Sequence, residues 1–146
     1  MATLRLSSAE RQALLAKLNT DIGINAVIGL YSGTMPANVD TAPAGGDAVL
    51  VTFAGNATAF GSVGGGSAGV EWVLTAGAIA ASSGLAAAGS GTAATWARIS
   101  TSGGTAVIDV DVGGTGSGAT LILTNVSIAS GQAVAINSLT ITGANA

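Results

Sequence analysis

The stretch ATWARISTSGGTAVIDVDV, residues 94–112, decides the fold. Ala94–Ser100 and Ala106–Val112 each alternate between two faces, which is the side-chain period of a β-strand. Thr101–Gly104 lies between them and ends in Gly-Gly, which is typical of a tight turn. Because no helix separates the two strands, we expect them to pair antiparallel.

The faces of this predicted hairpin differ in their chemistry. Trp96 and Arg98 share one face of the first strand, where they can stack as a cation–π pair. In the second strand, Asp109 and Asp111 are expected to face solvent while the apolar side chains face the core. Glu71, on a neighbouring strand, is a candidate ion-pair partner for Arg98.

The rest of the chain after residue 24 repeats this pattern. Bursts of valine and isoleucine between Gly/Ser clusters predict about seven to nine short strands. Gly113–Gly118 is expected to be a hairpin turn, and a change of parity in the last strand predicts a β-bulge near Asn137. We interpret the fold as mainly β, an antiparallel, jelly-roll-like β-sandwich.

A short helix is predicted before the strands, over about residues 8–19. Ser7 and Glu10 have the spacing of a capping box. The helix is expected to have an apolar stripe and an opposite charged face, formed by Leu14, Leu15 and Leu18 and by Glu10, Arg11 and Lys17 respectively. The chain then divides into an N-terminal segment, residues 1–24, and a β-sandwich domain, residues 25–146.

Side chains that make and break bonds are scarce. The 146 residues include no histidine and no cysteine, only 8% are charged, and the net charge is −3. The commonest general acid/base and the commonest metal ligands are therefore missing, so we expect no enzymatic activity, cofactor or metal. No basic patch indicates nucleic acid. The mean hydropathy of +0.64 comes from alanine-rich segments broken by Gly and Ser, so no membrane span is expected.

Three local patterns imitate known sites. Asp109 and Asp111 could form a catalytic carboxylate pair or help to bind calcium, but a strand face that blocks edge aggregation explains them better. Gly113–Gly118 looks like a phosphate loop, but no lysine and no helix follow it. Lys17 is a candidate base for a serine nucleophile, and its predicted position on an exposed helix face disfavours that role.

Six residues are candidate contacts with a protein partner, namely Arg5, Arg11, Lys17, Trp72, Trp96 and Arg98. The first three would supply polar contacts from the N-terminal segment. Trp72 and Trp96 are expected to fill the core or a subunit contact, with stacking on a sugar or a single-stranded nucleic acid as the alternative. The low charge of the chain favours a surface that faces other subunits.

Several stretches, read in order, carry a family resemblance: LRLS (4–7), GLYSGTMPAN (29–38), TWARI (95–99), SGGTAVID (102–109) and SGQAV (130–134). The chain resembles a group of small virion structural proteins encoded by tailed bacteriophages. The resemblance covers most of the chain, and its motifs are scaffold patterns without catalytic residues.

The resemblance implies a location in the virion, with the capsid surface favoured. The first hypothesis is a capsid cement, or decoration, protein that forms a homotrimer and binds the major capsid protein. The second is a tail, neck or fibre component that binds other tail proteins. The third, which rests on the tryptophans, is a carbohydrate-binding β-sandwich module.

Overall fold

The computed structural model describes residues 6–56, 60, 72–75 and 79–143. Its helix and strands, in chain order, are α1 (Ser8–Ile22), β1 (Ala26–Tyr31), β2 (Val49–Asn56), β3 (Trp72–Thr75), β4 (Ser82–Ser83), β5 (Thr92–Ala93), β6 (Trp96–Ser100), β7 (Ala106–Gly114), β8 (Leu121–Leu123), β9 (Ser127–Ile128), β10 (Ala133–Val134) and β11 (Ile136–Gly143). The prediction of a mainly β protein with a short N-terminal helix is confirmed.

Seven of the described strands form one curled sheet in the order β2-β1-β6-β7-β8-β11-β3. The pairs β4–β10 and β5–β9 form separate short ribbons. Helix α1 packs against β3 and β11 at one end of the sheet and also against β7 in its middle, which requires the sheet to curl towards the helix. This arrangement does not confirm the finer prediction of a jelly-roll-like sandwich.

The stretch at residues 94–112 forms the predicted hairpin. Strands β6 and β7 pair antiparallel with Ile99 opposite Ile108, and the Gly104 N–H donates to the Thr101 carbonyl (2.9 Å) in the turn between them. Strand β1 adds on the other side of β6 with Ile28 opposite Ile99. Alternate side chains of these three strands enter the core, so the period of two in the sequence sets which face is apolar.

Strand β8 contradicts the predicted hairpin turn at Gly113–Gly118. It runs parallel to β7, with Val112 opposite Leu121. Parallel neighbours usually need a crossover of a dozen or more residues, whereas only residues 115–120 join these two strands. The connection folds tightly over the end of β7, because a Cβ atom at Gly113 would lie 2.1 Å from Ser117 Oγ. Glycine therefore makes this return possible.

A bulge interrupts the pairing of β11 with β8. The register shifts between Ile136 and Ser138, so Asn137 is the extra residue. The predicted bulge near Asn137 is confirmed. It changes which side chains of β11 face inward, and Leu139 and Ile141 after it are buried.

Helix α1 begins as the sequence predicts and ends one turn later. The Ser7 side chain accepts a hydrogen bond from the Glu10 N–H (3.2 Å), which caps the first turn. The helix ends at Ile22 rather than near residue 19, and Gly23 follows at φ +70°.

The buried stripe of α1 differs from the predicted one. Leu15 is buried and Leu18 is half-buried, but Leu14 is 58% exposed. Ile22 belongs to the core instead, at a helical spacing of seven from Leu15. The helix thus shares the core of the strands, and the predicted division after residue 24 stays a prediction.

Candidate functional site

A row of polar and aromatic side chains crosses three strands on the sheet face opposite the core. The register sets Tyr31 beside Trp96 and Asp111, and Gly29 beside Arg98 and Asp109. We call Tyr31, Trp96, Arg98, Asp109 and Asp111 the polar ladder. The sequence predicted that Trp96 and Arg98 share a face, and the structure confirms it.

Arg98 and Asp109 form a bidentate ion pair in the ladder. Arg98 Nε lies 2.7 Å from Asp109 Oδ1, and Nη2 lies 2.7 Å from Oδ2. The two side chains are only 10% and 7% exposed, so the prediction that Asp109 faces solvent is wrong. The hydrogen bond to Asp109 raises the pKa of Arg98 above its ordinary value, although burial opposes this. The positive and negative charges of this buried pair therefore cancel each other.

Trp96 is the aromatic centre of the ladder. Its ring stacks on Tyr31 with centroids 4.3 Å apart and planes 12° from parallel, and Arg98 Cζ lies 5.5 Å from its centroid. The predicted cation–π contact is confirmed. Trp96 Nε1 donates to the Ser32 carbonyl (3.2 Å), and the residue is 1% exposed. No face of this ring is open to a sugar or a base.

The loop of residues 32–48 covers Trp96 and Arg98 of the ladder and is held there by hydrogen bonds. Arg98 Nη2 donates to the Thr41 carbonyl (2.9 Å), and Thr95 Oγ1 donates to the Gly33 carbonyl (2.7 Å). Gly33 has φ +87°, and a Cβ atom there would lie 1.8 Å from Asp47 Oδ1. These hydrogen bonds hold the loop over Trp96 and Arg98, which makes the two side chains structural residues in the single chain.

The N-terminal basic residues are distributed differently from the prediction. Arg11 is 4% exposed, so its expected position on an open helix face is wrong. It sits on the same stripe as Leu15, four residues on. Its Nη2 donates to Ser8 Oγ (3.2 Å), whereas Nε and Nη1 have no acceptor within the described ranges. Lys17 is exposed and pairs with Asp21.

The structure does not describe the side chains of three residues for which the sequence predicts contacts. Arg5 and Glu71 lie outside the described residues. Trp72 belongs to β3, where its backbone is opposite Gly143, but its side chain also lies outside the described part. Their predicted contacts stay predictions.

A groove follows a gap in the sheet. β8 pairs with β7 only from Val112 onward and with β11 only up to Leu139. Ile108–Asp111 of β7 and Thr140–Thr142 of β11 therefore face each other with no strand between them in the described structure. We call this gap the seam. It holds a groove of about 550 Å³, whose remaining wall is formed by Met35 and Gly118–Thr120.

Asp111 provides the charge at the seam. It is exposed, and its Oδ1 accepts a hydrogen bond from the Thr120 N–H (3.0 Å). Burial by itself raises the pKa of Asp111, but hydrogen bonds from Thr120 and from its own backbone outweigh this and hold it below the ordinary 3.8. The carboxylate is ionised at neutral pH and flanks the open edge of β7.

The seam is lined by carboxylates and hydroxyls as well as by apolar side chains. Its polar side chains are Asp109, which Arg98 already binds, Asp111, and the hydroxyls of Thr120, Thr140 and Thr142. No group of three or more metal-ligating side chains occurs within the described ranges. The sequence did not reveal this groove, because it forms where a short strand ends between two longer ones.

Comparisons with known proteins give no indication of the function of this chain. No protein-family model, curated protein or solved structure matches this chain. In the described part of the chain, α1 does not have the length and apolar character needed to cross a membrane.

Proposed function

We propose that this chain is a non-catalytic structural protein of a tailed-phage virion, acting as a cement or decoration protein on the capsid surface. It would assemble as a homotrimer and bind the major capsid protein. By binding only the assembled shell, it would stabilise that shell by mass action.

The observation that supports this proposal is the lack of charge on the surface of the β-rich part. Arg98 and Asp109 neutralise each other in the interior. Of the other charged residues described after α1, Asp40 and Asp111 are exposed and Asp47 is half-buried. Most of this surface is Ala, Gly, Ser and Thr, which loses little solvation energy when it packs against another subunit.

The role first expected for the N-terminal segment needs revision. Leu15 and Ile22 belong to the core, so removing residues 1–20 would expose apolar surface on the strands. Arg11 is buried and Lys17 is paired with Asp21, whereas Arg5 lies outside the described residues. A lattice contact by this segment is thus better tested by substitutions that leave Leu15 and Ile22 in place than by deletion.

The tail, neck or fibre alternative is separated from this proposal by copy number. Roughly hundreds of copies in a particle would indicate the capsid or tail tube, and about six or twelve would indicate the neck or tail tip. The carbohydrate-binding alternative loses the buried Trp96 as a stacking platform and now depends on Trp72.

The test is an electron-microscopy map of native particles combined with quantification of this protein by mass spectrometry. Density for the chain at threefold or quasi-threefold capsid positions, with a matching copy number, is the expected result. Density confined to the tail would refute the cement role, and a particle without the protein would refute the virion role. Turnover of any substrate by the purified chain would refute the structural assignment.

A further inference from the structure

We propose that the seam binds an extended strand from a second copy of this chain, formed by residues 2–6 of its N-terminal segment. The proposal concerns self-association and does not depend on a location in a virion.

The width of the seam fits a single strand. β7 and β11 flank β8 on either side, so they stand two interstrand spacings apart, about 9.6 Å, where β8 lies between them. Beyond the start of β8 at Leu121, the same two strands continue and enclose the open groove of about 550 Å³. An inserted strand would extend the line of β8 and complete the sheet.

Backbone hydrogen-bonding groups on both edges of the seam point towards the position of the inserted strand. The Val112 N–H donates to the Thr95 carbonyl, on the β6 side. Because backbone groups alternate along a strand, those of Asp109 and Asp111 point into the seam. On the other edge, Thr140 donates to the Thr120 carbonyl, so Thr142, two residues further, also directs its backbone into the seam. Both edges can hydrogen-bond a docked strand.

The N-terminal segment has the pattern of such a strand. Apolar Ala2, Leu4 and Leu6 alternate with Thr3 and Arg5. This period of two would direct the apolar side chains to one face of the completed sheet and the polar ones to the other. The mixed lining of the seam, which includes Ile108, Ile141 and several threonines, matches both faces.

The negative charge of the seam also favours the N-terminal segment as its ligand. The exposed carboxylate at the seam belongs to Asp111. Of the four basic residues in the sequence, Lys17 and Arg98 are each paired with an aspartate and Arg11 is buried. The fourth basic residue, Arg5, lies outside the described residues and in the N-terminal segment, where its charge complements that of Asp111. The groove is open among the described residues, and a neighbouring copy is the donor that self-association would supply.

The test is a charge exchange measured by sedimentation and light scattering of the purified chain. R5E and D111K should each weaken self-association by about tenfold or more, because each places like charges together. The double variant R5E/D111K should restore association close to the unmodified level. K17E is the matched control: it makes the same charge change on the exposed face of α1 and should leave association unchanged.

Several outcomes would overturn the proposal. They are a wild-type chain that stays monomeric at every concentration, a double variant that stays as weak as the single ones, or equal weakening by K17E. A second measurement covers variants that fold poorly. A synthetic MATLRLS peptide should disrupt wild-type association, whereas the same peptide carrying R5E should not. If both peptides act alike, or if hydrogen exchange at Asp109 is unaffected by association, the seam is not the docking site.

Discussion

Arg98 and Arg11 are both buried, at 9% and 4% exposure, but their surroundings differ. Arg98 makes two short hydrogen bonds to Asp109, one to the Thr41 carbonyl, and a contact with the Trp96 ring. Arg11 makes one hydrogen bond, to Ser8, and its Nε and Nη1 have no acceptor among the described residues.

The two arginines show that a buried charge with close partners can stabilise the fold, whereas a buried charge with few partners lowers its stability. A buried charge costs several kcal/mol of desolvation, which only close partners offset. Arg98 has those partners because the strand register places Asp109 opposite it. Arg11 also sits near the positive end of the helix dipole, which further disfavours a cation. The two sites should therefore respond in opposite ways to loss of the guanidinium.

The largest expected effect is on R98M. Removing the guanidinium leaves Asp109 buried without its ion-pair partner, so the free energy of unfolding should fall by about 3–5 kcal/mol. Urea denaturation followed by tryptophan fluorescence measures it. The double variant R98M/D109L removes both charges and should recover most of the loss. If R98M cost less than about 1 kcal/mol, the pair would not be organising the ladder.

The next effect is on the loop that closes over Arg98. G33A should destabilise by about 1–3 kcal/mol, because φ +87° is strained for alanine and its Cβ would collide with Asp47. G45A is the matched control, since a Cβ atom at Gly45 meets nothing within 4 Å. Comparing their unfolding midpoints isolates the effect of backbone strain and of the collision with Asp47 at Gly33. Equal midpoints for the two variants would contradict the tight closure of the loop.

R11M should have a small effect of the opposite sign. Replacing a poorly satisfied buried cation with an apolar side chain should leave stability unchanged or raise it by up to about 1 kcal/mol. Q12M, at the exposed neighbouring position, controls for the helix preference of methionine. Thermal unfolding of the two variants checks the prediction. A loss above about 1 kcal/mol in R11M alone would mean that this guanidinium has a stabilising partner.

The smallest effect concerns pH. Because folding lowers the pKa of Asp111 below 3.8, its contribution to stability is complete above that pH and is lost as the pH falls through the folded-state value. The stability difference between the unmodified chain and D111N should thus shrink as the pH falls below about 4. Denaturation at a series of acidic pH values measures it. A difference that stays constant or grows in acid would contradict the assignment.

The local pattern predicted much of this fold. Capping by Ser7, the hairpin of β6 and β7, the shared face of Trp96 and Arg98, and the bulge at Asn137 all follow from interactions between near neighbours in sequence. Each depends on spacing and side-chain type, which the sequence displays directly.

The errors arose where distant segments meet. Asp109 alternates like a solvent-facing residue, yet it is buried against Arg98, over which the loop of residues 32–48 is held. The Gly113–Gly118 stretch has hairpin composition, yet β8 turns back to lie parallel to β7. Periodicity reports which side chains share a face, but it does not report what later covers that face.

The sequence by itself determined a β-rich chain with one capped helix, poor in charge and without histidine or cysteine, because composition and period are local properties. Only the tertiary structure decided the parallel pairing of β7 with β8, the burial of Arg11 and Asp109, and the open seam beside Asp111. These features depend on which strands become neighbours, and that is set by the packing of the whole core rather than by any single segment.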